Sequence, residues 1–191
     1  MRIKNETNSH SISSFIFFFK KGGLEVRWEV NYERMKITLL VVGKTIDKQL
    51  IKLTEEYQNR LKHYLAFNLL VIPELKNTKH LSETEQKEKE ADLILKQIDA
   101  GDEVLLLDER GKQYASVEFA AFLEQKFLSS TKRMIFVIGG PYGFSERVYS
   151  RATGRISLSQ MTFSHQMVRV IFLEQLYRAM TIIKGEPYHH E

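Results

Sequence analysis

From residue 35 onward the apolar and polar positions fall in blocks, and the period of each block predicts an element. Lys36 to Val42 is a nearly unbroken run of leucine and β-branched residues closed by Gly43-Lys44, the pattern of a strand buried on both faces. Leu50, Leu53, Tyr57, Leu61 and Tyr64 recur at three- and four-residue steps and predict a helix. Phe67 to Ile72 predicts a second strand, stopped at Pro73. The polar stretch from Glu74 to Thr84 leads into a charged helix with Ala91, Ile94, Leu95 and Ile98 on its apolar face. Glu103 to Asp108 predicts a third strand that turns at Glu109-Arg110-Gly111-Lys112, and Ser116 caps a helix with Phe119, Phe122, Leu123 and Phe127 inward. A fourth strand, Met134 to Ile138, runs into Gly139-Gly140-Pro141-Tyr142-Gly143-Phe144, and Ser145 caps a short helix through about Ala152. Ile156 to Ser159 reads as a fifth strand and Gln160 to Ser164 as a loop. The last helix spans His165 to Lys184, with Val168, Ile171, Phe172, Leu176 and Met180 as its buried stripe. Alternation of this kind predicts an α/β fold, a mostly parallel sheet with helices on both faces.

Residues 1–34 break the pattern. Ser11 to Phe19 is a serine-interrupted apolar run between Arg2, Lys4 and Lys20-Lys21, but it is short and no small-x-small cleavage site follows, so it is not a signal peptide. The expectation is a poorly structured or locally helical extension, explicable by an upstream start codon, and a functional domain over 35–191.

Composition narrows the chemistry. The chain has 191 residues, 43% apolar and 27% charged, which fits one globular unit or at most two small ones. No stretch approaches the roughly 18 apolar residues of a membrane span, so no membrane partner is expected. With no cysteine, disulfide frameworks, thiolate metal sites and thiol nucleophiles are excluded, and a reducing compartment is permitted. Net charge over residues 1–34, 35–131 and 132–191 is +2, −2 and +4, so the basic surplus sits in the last third. That surplus fits either a solvated face or a polyanion footprint.

In parallel α/β sheets ligands bind beyond the carboxyl ends of the strands. Three ends stand out here: Leu107 to Gly111, Gly139 to Gly143, and Leu158 to Phe163. Gly139-Gly140 lacks the spacing of a dinucleotide fingerprint and the Lys-Ser/Thr of a phosphate loop. It is either an ordinary turn or a place where main-chain amides approach a flat ligand. His165 fits a capping role, and Glu174 with Arg178 fits a surface ion pair. Tyr188, His189 and His190 concentrate aromatic and titratable groups at a terminus, which points to a tail that docks. Neither a carboxylate nor a third histidine stands at ligand spacing, so no metal site is expected.

Together these residues resemble a known family. Met35-Lys36-Ile37 to Val42-Gly43-Lys44, Val137 to Gly140 with Gly143, Ser157-Leu158-Ser159-Gln160-Met161-Thr162-Phe163-Ser164-His165-Gln166, Arg169-Val170, Glu174 to Ala179 and Pro187-Tyr188-His189 are similar to the ribosomal RNA large subunit methyltransferase H family, a branch of the SPOUT methyltransferases. The resemblance covers 35–191 and none of 1–34. It implies a C-terminal deep trefoil knot, a cytoplasmic homodimer and S-adenosylmethionine as methyl donor, with no metal. The implied reaction is methylation of N3 of a pseudouridine in 23S rRNA on the assembled ribosome. Carried onto this chain, the donor pocket comprises Leu107, Gly139, Leu158, Ser159, Gln160, Met161, Thr162 and Phe163. His189 is the implied base or orienting group, Tyr188 shapes the base pocket and Arg178 holds phosphate or the developing anion. The tail of one subunit then reaches the other subunit's donor pocket. Arg147, Arg151, Arg155 and Arg169 are candidate RNA contacts. Ser164 replaces a proline common among relatives, and His190-Glu191 replaces a basic residue after the tail histidine. A SPOUT enzyme for another nucleotide and a non-catalytic ribosome-binding factor are the alternatives.

Overall fold

A computed structural model describes residues 14–21, 24–31 and 34–189. Five parallel strands form the main sheet: β3 (Lys36–Val42), β4 (Phe67–Ile72), β5 (Glu103–Gln113), β6 (Arg133–Ile138) and β7 (Gly154–Ser157), in the order β4-β3-β6-β5-β7. The two-residue side-chain period of a strand splits the core into two layers. Ile37, Leu39 and Val41 of β3 and Met134, Phe136 and Ile138 of β6 face one layer, whereas Leu40, Val42, Ile135 and Val137 face the other. The first layer is covered by α1 (Lys48–Leu61), α3 (Ser116–Phe127) and α5 (Met167–Lys184), with Phe172 centred 4.7 Å from Phe136. The second is covered by α2 (Glu83–Leu95) and the short α4 (Glu146–Arg151) through Ala91, Ile94 and Val148. Helices on both faces of a parallel sheet are as the pattern predicts.

The apolar stripe of α5 is wider than the sequence period indicates. Val170, Leu173 and Ala179 are buried along with Phe172, Leu176 and Met180, because α5 packs against both α1 and α3. It closes with Gly185 and Glu186 donating their N–H groups to the carbonyls of Ile182 and Thr181, which turns the tail back along the helix.

Several local expectations are corrected. Strands β1 (Ser14–Lys21) and β2 (Leu24–Asn31) pair antiparallel as a separate two-stranded sheet, in place of a poorly structured or helical extension. Phe15, Phe17 and Phe19 register with Val30, Trp28 and Val26, and such residue types favour strands over helix. Strand β5 does not turn at 109–112. It continues to Gln113 with a register shift, Ile156 being the partner of both Leu107 and Lys112. Strand β7 begins at Gly154, earlier than expected, and leaves Leu158 and Ser159 in the following loop. The N-cap of α3 is Ala115, whose N–H donates to the Glu118 carboxylate at 2.9 Å; Ser116 is the first helical residue. Ser145 does hold the N-cap position of α4, but its hydroxyl makes no capping bond. Helix α5 starts at Met167, where Ser164 Oγ accepts the Met167 N–H at 3.3 Å.

Candidate functional site

Strand β5 is followed by a helix on one face and its neighbour β6 by a helix on the other, so the chain leaves the sheet in opposite directions at this point. Such a divergence opens a crevice at the carboxyl ends of the strands. A cleft of about 480 Å³ lies there. Its walls are Leu107 to Arg110 after the first part of β5, Ile138 to Phe144 after β6, and Leu158, Ser159, Met161, Thr162 and Phe163 after β7, with Tyr149 and His165 beside them. Seven of the eight residues expected in the donor pocket thus line one cleft. Gln160, an exposed residue of the third loop, is not part of the lining.

Each wall has a local cause. Gly140 to Gly143 is a tight turn closed by the Gly143 N–H donating to the Gly140 carbonyl at 3.1 Å, with Pro141 at the position that suits its fixed φ. Gly140 also requires the absence of a Cβ. The buried Glu90 carboxylate of α2 lies against it, and a Cβ would stand 2.2 Å from Glu90 Oε2. Glu90 accepts a hydrogen bond from Gln86 Nε2 at 2.9 Å. The third loop is shaped by its own serines. Ser157 Oγ donates to the Ser159 carbonyl at 2.9 Å, and Ser159 Oγ accepts the Met161 N–H at 2.9 Å.

The cleft carries charge of both signs, with Lys87, Arg110, Asp108, Glu109 and Glu146 on its walls. Asp108 is its most constrained acid. It accepts the Tyr149 hydroxyl at 2.5 Å and the Arg110 N–H at 2.8 Å. Burial and the bonded Asp108 carboxylate push the Tyr149 phenol up to about 12, against the opposing pull of Arg110 and Arg155. Tyr149 is therefore a neutral donor at physiological pH.

The first turns of α5 clamp the β3–α1 loop to the end of the cleft wall. Gln166 Oε1 accepts the N–H groups of Ile46 and Asp47 at 2.8 and 3.1 Å. Arg169 is 3% exposed and donates to the Val42 carbonyl at 2.7 Å and Thr45 Oγ1 at 2.9 Å. Arg169 is thus an internal brace, which corrects its expected place among RNA contacts. Arg147 is paired with Glu88 and Asp92, and Arg151 donates to the carbonyls of Asp99 and Asp102.

The tail lies elsewhere on the chain. Tyr188 stacks edge-on against Tyr177 with ring centres 4.9 Å apart and donates to Glu174 Oε1 at 3.3 Å. The Arg178 guanidinium sits 4.8 Å from the Tyr188 ring centre and donates to the same Glu174 oxygen through Nε at 3.1 Å and a terminal nitrogen at 2.5 Å. Tyr64, which donates to Glu186, extends this cluster, and Tyr57 and Arg60 complete it. Burial, with help from Tyr57 and Glu174, holds the Tyr188 phenol well above its usual value. His189 Nδ1 is enclosed and has no hydrogen-bond partner among the described residues. The structure therefore brings Arg178, Tyr188 and His189 into one neighbourhood, and none of them lines the cleft. His190 and Glu191 lie outside the described residues.

Nothing in the sequence around Tyr149 or Glu90 marks either as part of a site. Each sits inside a helix with no motif around it, and only the packing of α2 and α4 beneath the cleft reveals them. Among the described residues no helix is long and apolar enough to cross a membrane.

Comparison with known proteins fits this geometry. The family model described as Predicted SPOUT methyltransferase matches residues 35–189. The ribosomal RNA large subunit methyltransferase H of Parabacteroides distasonis is 57% identical over 157 residues, covering 82% of this chain and 100% of that protein. Its counterpart in Phocaeicola vulgatus is 59% identical over the same shares. Likeness to a solved structure is more distant: the SpoU methyltransferase AviRb from Streptomyces viridochromogenes, in complex with AdoMet, is 12% identical at a TM-score of 0.42, over 81% of this chain and 60% of that one. On the match over 35–189 and these full-length relatives, the chain belongs to the SPOUT methyltransferases, in the ribosomal RNA large subunit methyltransferase H family.

Proposed function

We propose that this chain methylates large-subunit ribosomal RNA with S-adenosylmethionine as donor, at N3 of a pseudouridine in 23S rRNA on the assembled ribosome, as a cytoplasmic homodimer. The observation that carries this reading is the meeting of three strand-end loops in one cleft at the point where the chain diverges from the sheet. The trefoil knot implied by the family would hold these loops together.

The cleft residues fit the donor. A volume of about 480 Å³ suits a small-molecule site. The bare backbone at Gly139-Gly140 and the third loop offer main-chain groups to the adenine, and Leu107, Leu158 and Phe163 pack its faces. Asp108, Glu109 and Glu146 supply negative charge suited to a cation, with Lys87 for a carboxylate. When bound, the donor supplies a methyl carbon already activated by its sulfonium.

The remaining task is to deprotonate and orient a weakly acidic imide. His189 takes that proton, because its Nδ1 is enclosed with no hydrogen-bond partner among the described residues and imidazole is the commonest side-chain general base. Tyr188 forms the wall of the base pocket, and Arg178 stabilises the developing anion or holds a phosphate. Since these groups and the cleft do not meet within one chain, the site is composite: the tail of one copy completes the cleft of the other.

The test is transfer of a labelled methyl group from the donor to ribosomes lacking the modification, followed by mass mapping of the rRNA. Label on one pseudouridine is expected. Label on another nucleotide overturns the site assignment, and no label with either ribosomes or free rRNA overturns the enzymatic reading.

A further inference from the structure

Next to the donor cleft lies a second concavity of about 350 Å³, lined by Arg110, Glu146, Tyr149, Ala152 to Gly154 and Arg155. Its two arginines are unlike most others in the fold. Arg60, Arg133, Arg147 and Arg178 are each paired with a carboxylate, Arg151 is tied to main-chain carbonyls, and Arg169 is buried. Arg110 and Arg155 are exposed, and among the described residues neither guanidinium makes an ion pair.

Their placement is built by the fold. The stretch between Leu107 and Lys112 leaves the β5–β7 ladder and returns to the same partner, Ile156. Gly111 packs onto the β7 backbone, where a Cβ would stand 2.6 Å from Ile156 main-chain atoms. This brings Arg110 beside Arg155, the β7 residue just before Ile156. Asp108 then fixes both sides, accepting the Arg110 N–H at 2.8 Å and the Tyr149 hydroxyl at 2.5 Å. Arg155 lies 5.6 Å from the Tyr149 ring centre. The single acid on this wall, Glu146, is exposed and pairs with neither arginine.

We propose that Arg110 and Arg155 form a phosphate subsite that takes a backbone phosphodiester of the RNA strand beside the methylated nucleotide. Arginine forks match phosphate oxygens, and a phosphate contact positions the strand without reading its sequence. Because this concavity shares Arg110, Glu146 and Tyr149 with the cleft, a phosphate anchored there would lie next to the donor site. The subsite rests on the functional reading above.

Arg155 does not line the donor cleft, so Arg155→Ala separates the two ligands. Ribosome affinity is measured by filter binding across a salt series, and donor affinity by calorimetry on the same protein. The expected result is roughly tenfold weaker ribosome binding and a log–log salt slope shallower by about 0.7–0.9, with donor affinity unchanged. Arg155→Lys keeps the point charge and is expected to restore the slope while recovering only part of the affinity. Unchanged ribosome affinity and slope in Arg155→Ala overturns the subsite, and so does a loss confined to donor binding, which would assign the concavity to the donor's carboxylate. A wild-type protein that transfers no methyl group overturns the functional reading itself and the subsite with it. Wild-type transfer with an indifferent Arg155→Ala overturns the subsite alone.

Discussion

Arg178 and Tyr188 are locked to one another through a shared acid: the guanidinium lies 4.8 Å from the phenol ring centre, and both side chains donate to the same oxygen of Glu174. A tail held in this way is a preformed surface, in contrast to the fraying expected at a chain end. Burial keeps the Tyr188 phenol protonated, which suits its proposed role as a wall of the base pocket and leaves the proton transfer to His189 in the proposal. Tyr188→Phe is expected to keep the pH profile of kcat and most of its magnitude. His189→Ala should lower kcat by roughly 100-fold or more and leave donor affinity unchanged by calorimetry. A shifted profile in Tyr188→Phe would transfer the proton chemistry to the phenol.

Gly140 and Glu90 predict a coupled pair. Gly140→Ala drives a Cβ into the Glu90 carboxylate, so the turn that forms one cleft wall must move. Donor affinity should fall by about tenfold, with a loss of stability of about 1–3 kcal/mol. Glu90→Ala in the same chain removes the obstruction, and the double variant should bind the donor better than Gly140→Ala alone. Additive losses would show that the two positions do not communicate.

Asp102 and Arg133 predict how the fold responds to acid. Asp102 is desolvated, yet its bonds from Arg133 and from the Asp99 N–H outweigh that and hold its pKa below the usual value. A lowered folded-state pKa means the contribution is complete above the ordinary carboxylate range and is lost as pH falls through the folded value. Urea midpoints should therefore drop below about pH 4 in the wild type. Asp102→Asn should be less stable by about 2 kcal/mol at neutral pH and lack that part of the acid dependence.

How much of this was legible in the chain depends on whether a residue's role is local. The five strands of 35–191 and the faces of their helices follow from period alone, because a strand buried on both sides has to be apolar throughout, as Leu39, Leu40 and Val41 are. The three strand-end loops were likewise visible as glycine and serine punctuation. The excursion of β5 around Ile156 was not, since Glu109-Arg110-Gly111-Lys112 has turn chemistry and only pairing with β7 makes it strand. Arg169 looked like a surface arginine because the carbonyl of Val42 and the hydroxyl of Thr45 that receive it are more than a hundred residues away. Glu90 and Tyr149 have the same explanation: their partners Gly140 and Asp108 come from other elements.

The proposed composite site is tested most directly by mixing two variants that are each expected to be inactive. Thr162→Trp fills the cleft from an exposed position on its wall, and His189→Ala removes the tail's imidazole. If two copies share the site as proposed, each homodimer lacks one half of every site, whereas a heterodimer retains one site with both halves intact. Co-refolded in equal amounts and assayed for methyl transfer to ribosomes, the mixture is predicted to recover about a quarter of wild-type activity, since random pairing gives about half heterodimers with one working site each. A mixture as inactive as its components would contradict a site shared between two copies of the chain.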